Sequence, residues 1–224
     1  MILKNSISIT SLVTCGFGLL TAGLLSVALA AEVAPDATPA EDLVVAPPAI
    51  LTIAKPAFGK LCDFEFAAGP GERYKAYPLD FKMKDDPADQ AIRKATLHEL
   101  FCFSGAYNVS YAYLVETEDD GILPVYFATP SFRPVYEDAE TSEKVLRIDI
   151  SGFTANALVV NPVYDAATAT LKSDGAWRGL GDASSSGTWR FIDGEFVLTH
   201  FDVDASYDGE INPTAIYDAA PETP

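Results

Sequence analysis

The chain has 224 residues, 49% hydrophobic and 11% aromatic, which is enough to bury a core and excludes a wholly disordered protein. It carries 32 Asp and Glu against 15 Lys and Arg, a formal charge of −17 at pH 7. Such a surface repels phosphate backbones and anionic lipid, so the charge argues against direct nucleic-acid binding. Two His and three Cys leave little material for a zinc site or a His-based triad.

The N-terminus reads as a secretory signal over residues 1–30. Lys4 is the lone charged residue of the first 31, and an apolar run rich in Leu, Ile, Val, Gly and Ala follows it. The run ends in Ala28-Leu29-Ala30, an A-x-A cleavage signature. The run is also long enough to span a bilayer, so an uncleaved anchor is the competing reading. Cleavage removes Lys4 and no acid, taking the net charge from −17 to −18. After cleavage no stable membrane insertion is expected.

Residues 31–56 hold Pro35, Pro39, Pro47, Pro48 and Pro56 among Ala, Val and acids. That composition predicts an extended tether leading into a single β-rich domain over 57–220. Cleavage also removes Cys15 and leaves Cys62 and Cys102. In an exported chain such a pair predicts a disulfide; two separate buried thiols are the alternative.

Asp85-Asp86-Pro87-Ala88-Asp89 carries acids and a proline where a helix starts, and predicts one short helix running to Ala95. Beyond it the pattern is strand and turn. Residues 97–103, 109–115, 123–128, 145–150, 168–171, 187–191 and 196–203 are rich in β formers or alternate apolar with polar. Asp119-Asp120-Gly121 and Ile192-Asp193-Gly194-Glu195 read as tight turns. The expected fold is mainly β, a β-rich α+β chain forming an antiparallel sandwich or open barrel with one short helix. Gly175-Ala176-Trp177-Arg178 recurs as Gly187-Thr188-Trp189-Arg190. This echo is read either as two core tryptophans with exposed arginines or as an aromatic platform for a sugar or anion.

A set of turn and strand motifs is distinctive. It comprises Cys102-Phe103-Ser104-Gly105-Ala106-Tyr107-Asn108, Phe127-Ala128-Thr129-Pro130, Leu158-Val159-Val160-Asn161 and Tyr164-Asp165. Arg178-Gly179-Leu180-Gly181-Asp182, Asp193-Gly194-Glu195-Phe196-Val197-Leu198 and Ile211-Asn212-Pro213-Thr214 complete it. Through these residues the chain, over about 97–218, resembles the bacterial exported family known as domain of unknown function 1176. The resemblance implies a location and a shared fold, and no particular activity.

One constellation could bind a cation. Asp204, Ser206, Asp208 and Glu210 place oxygens at alternate positions, with Gly209 at the turn, as a hard cation such as calcium requires. The twelfth position of such a loop should be a bidentate Glu, and here it is Ala215. The competing reading is an acidic turn. His200 and Asp202 share a strand face, read as an exposed histidine beside an acid. No G-x-S-x-G, H-E-x-x-H or P-loop motif occurs. The chain therefore reads as a non-enzymatic periplasmic or secreted binding module whose acidic surface steers a basic partner, an envelope protein or cell-wall component. The alternatives are a calcium-binding module or a hydrolase using the 204–210 loop.

Overall fold

Alternating apolar and polar residues, interrupted by Gly and Asp turns, lay the chain down as antiparallel strands. The computed structural model describes residues 46–64 and 73–219, all within one compact unit, Asp42–Pro224. The signal expected at 1–30 and tether residues 31–45 lie outside the described residues. A helix, α1 (Pro48–Phe58), comes first. It is followed by β1 (Tyr74–Phe81), β2 (Arg93–Ser104), β3 (Val109–Thr117), β4 (Gly121–Pro124), β5 (Phe127–Tyr136) and β6 (Val145–Asn156). Then come β7 (Leu158–Val160), β8 (Val163–Asp165), β9 (Thr170–Ala176), β10 (Ser184–Ile192), β11 (Glu195–Asp204) and β12 (Thr214–Asp218).

The first sheet runs β1-β2-β3-β4, with β7 also pairing β3; the second runs β12-β11-β10-β9-β8; β5 and β6 form a two-stranded ribbon. Every pairing is antiparallel. The sheets remain open, so of the two expected architectures the sandwich is the one formed. Leu79, Leu97, Tyr113 and Val115 of the first sheet face Leu171, Trp189, Phe191, Phe196 and Leu198 of the second. Phe127, at the start of the ribbon, fills the space between them and touches the rings of Tyr113, Trp189 and Phe196 at 5.4–5.6 Å.

A third layer covers the outer face of the first sheet. Ile50, Ala54 and Phe58 recur every fourth residue along α1 and pack on Leu100, Cys102, Ala112 and Leu114. Strand β2 is therefore buried on both faces, without a break from Leu97 to Cys102, and it carries the apolar run Leu100-Phe101-Cys102 there. The Cys62–Cys102 disulfide bolts the end of α1 to β2 with the Cα atoms 4.0 Å apart, as the cysteine pair predicted.

Three expectations are corrected. The tether does not reach residue 56, because Pro48–Phe58 is helical. Pro48 occupies the first turn, where its missing N–H is no loss, and the buried stripe supplies the packing. The helix expected from Asp85 is a series of turns. Asp86 accepts the Met83 N–H at 2.8 Å and a bidentate ion pair from Arg93, and β2 claims the chain from Arg93 onward, leaving too few residues for a helical nucleus. The strand expected at 123–128 breaks after Pro124, which has no N–H to extend the ladder.

Candidate functional site

Three hairpin ends meet at one end of the sandwich. They are residues 82–92 between β1 and β2, 118–120 between β3 and β4, and the Asp193-Gly194 tip between β10 and β11. The last is a tight turn with both central residues at positive φ, Asp193 at 51° and Gly194 at 83°, the conformation that matches strand twist. A Cβ on Gly194 would stand 3.4 Å from Met83 Sδ, so the 82–92 segment lies directly against this tip.

Between the hairpins the two sheets part into a groove of about 880 Å³. Its floor is the sandwich core laid open: Phe81, Val115, Phe191 and Phe196. Phe191 meets Phe81 edge-on at 5.2 Å and Phe196 at 5.1 Å. Leu123 pairs with Val115 across the β3–β4 ladder and is 52% exposed, an apolar lip facing the opening.

The rim is acidic. Glu118, Asp119 and Asp120 line one side, and Asp193 and Glu195 the other. The lining cations are already engaged: Arg93 pairs with Asp86 at 2.8 Å and with Asp119 at 3.4 Å, and Lys94 with Asp80 at 2.8 Å. The Arg93 guanidinium holds the Asp86 carboxyl down to about 2. Among the described residues no lysine or arginine forms an ion pair with Glu118, Asp120, Asp193 or Glu195. Both acidic turns were visible in the sequence as turns. That they face each other across an apolar floor follows from the packing of the two sheets, which no single segment encodes.

The 204–210 loop lies elsewhere, beside the turn that joins β5 to β6, where Tyr207 N–H donates to Ser142 O at 3.1 Å. Asp204 is buried, and its two oxygens accept Ser206 N–H at 3.2 Å, Ser206 Oγ–H at 2.7 Å and Asn212 N–H at 2.7 Å. Asp208 accepts the Glu210 N–H at 2.9 Å, and Glu210 itself is exposed. The oxygens offered by the alternate spacing thus meet the loop's own donors. Asp182, also buried, joins the same region by accepting Gly209 N–H and a bidentate pair from Arg178, which holds its carboxyl at about 2. Among the described residues no set of three or more His, Cys, Asp or Glu gathers as a metal site.

The remaining candidates are structural. Trp189 is a core residue whose Nε1–H donates to Ala128 O at 2.8 Å. Its counterpart Trp177 lies past the end of β9, 37% exposed and stacked on Phe132, so the two halves of the echo do different work. His200 is half-buried between Asp202 at 2.9 Å and Asp218 at 3.3 Å. Burial lowers its basicity, but the two carboxylates outweigh that and raise it. His98, for which the sequence suggests no orienting partner, is buried on β2 and bridges Tyr74 Oη at 2.8 Å and Glu116 at 3.1 Å. Burial depresses its proton affinity more than Glu116 restores it.

A family model described as "Protein of unknown function (DUF1176)" matches residues 30–209. The match extends well upstream of residue 97, taking in α1, β1, both cysteines and the whole groove, and it stops short of β12. No curated protein and no solved structure matches.

Proposed function

The chain belongs to the DUF1176 family of proteins of unknown function, and we propose that it is an exported, non-enzymatic binding module whose groove receives a basic partner in the cell envelope. The observation that carries this reading is the groove itself: an apolar floor opened between two sheets, under carboxylates whose local cations are already engaged. Clefts that join an apolar floor to placed polar groups are where proteins bind ligands. A net charge of −17 adds long-range attraction for a cationic partner. Export is supported by the A-x-A tip, by the disulfide, and by the start of the family match at residue 30. Among the described residues no helix is long and apolar enough to cross a membrane.

Two measurements test this. Intact mass of the exported protein should correspond to a chain starting near Ala31; a full-length species retained in membranes would make the segment an anchor. Binding of polylysine to the mature protein should weaken steeply with salt. It should fall at least tenfold in the double variant Glu118→Lys, Glu195→Lys, while the charge-matched double variant Glu140→Lys, Glu143→Lys on the exposed turn between β5 and β6 weakens it far less. Equal losses from both reversals would show that bulk charge, not the groove, does the binding.

A further inference from the structure

Resting on that reading, we infer that the groove recognises a peptide segment in which one large apolar side chain directly adjoins Lys or Arg. The rim alone would bind any polycation. The floor asks for more. Phe81, Phe191 and Phe196 form an edge-to-face aromatic cluster at the open end of the core. Leu123, 52% exposed, and Met83, 38% exposed, stand above it on the two lips. Natural sequences seldom leave such residues open on the same cleft unless something covers them.

The volume of about 880 Å³ lies in the range of sites that engulf a ligand group of several heavy atoms. An anchor inserted between the sheets places its flanking residues level with the rim. There Glu118 and Asp120 flank one side, and Asp193 and Glu195 the other. A cation on either side of the anchor therefore meets a carboxylate lip, whereas a second apolar residue would not. Because acids line both lips, cations before and after the anchor are both accommodated, which suits a peptide chain better than a single headgroup.

The test uses the mature protein and two amidated peptides of equal charge, Lys-Lys-Phe-Lys-Lys and Lys-Lys-Ala-Lys-Lys, by calorimetry at physiological salt. The Phe peptide should bind roughly ten- to a hundredfold tighter, the gain from burying one aromatic side chain. The double variant Met83→Ser, Leu123→Ser, whose side chains are exposed, should cut that preference severalfold and leave the Ala peptide unaffected. If the two peptides bind equally and both weaken in the Glu118→Lys, Glu195→Lys variant, the anchor is overturned and the acidic groove stands. If neither peptide responds to the charge reversal, the groove reading falls and this inference with it.

Discussion

Reducing the Cys62–Cys102 bond should destabilise the fold by about 4 kcal/mol, and the loss of protection should be greatest in the α1 layer. The bond closes a loop with a sequence separation of 40. On the chain-entropy relation this removes about 13 cal/mol/K from the unfolded ensemble, or about 4 kcal/mol at 25 °C. For a chain of this size that corresponds to a drop in Tm of roughly 8–16 °C. The structure adds where the loss falls. Both cysteines are buried in the outer cluster with Ile50, Ala54 and Phe58, and Asp63 N–H donates to Cys102 O at 3.1 Å. The bond is the covalent link between the end of α1 and the first sheet. The assay is urea unfolding of the oxidised and reduced mature chain, which differ in no side-chain carbon and so create no cavity. Hydrogen exchange of both forms locates the loosening. Protection should fall by that amount wherever exchange needs global unfolding, β10 and β11 included, and by more in α1, which local opening then frees. A loss under about 1 kcal/mol would refute the entropy argument. A loss in α1 no larger than in β10 and β11 would refute the assignment of the bond to the α1 layer.

Three further outcomes follow from side-chain environments. The proton affinity of His98 is depressed by burial, so the unfolded chain binds the proton more tightly. Its contribution is present above the ordinary value of 6.5 and is lost as pH falls through the lower folded value. His98→Gln should flatten that acid-side decline in stability between pH 7 and 5, and an unchanged profile would exonerate His98. Gly187→Ala should cost about 1–3 kcal/mol, because its Cβ would stand 2.3 Å from the buried Trp189 ring; a neutral melt would show that the ring can move. Asp204→Ala should cost about 1–3 kcal/mol by orphaning the Ser206 and Asn212 donors. Calcium and magnesium at equal ionic strength should shift the wild-type melt equally if the loop is an acidic turn, and a calcium-specific rise abolished by Asp208→Ala would establish the cation reading instead.

Local chemistry determined much of this protein. Alternation in 145–150 and 196–203 and the Asp-Gly turns at 119–121 and 192–195 specify structure through neighbours in the chain, the Cys62, Cys102 pair does so through its chemistry, and each appears in the fold. The same local logic failed where two local rules competed. Pro47-Pro48 suits a tether and a helix start equally, and only the sheet beneath Ile50, Ala54 and Phe58 decides for the helix. Asp85-Asp86-Pro87 suits a helix start, but an ion pair from Asp86 to Arg93 and the ladder of β2 pull the segment into turns. The groove lay beyond sequence reading for a deeper reason. Its carboxylates at 118–120 and 193–195 are separated by seven strands, β4 to β10, and an acidic turn looks the same whether it faces solvent or a second acidic turn. What makes these turns a site is the packing of two sheets that brings Phe191 and Phe196 to the floor of a groove at one end and leaves Met83 and Leu123 exposed above them, and sheet packing is a property of side chains distant in sequence.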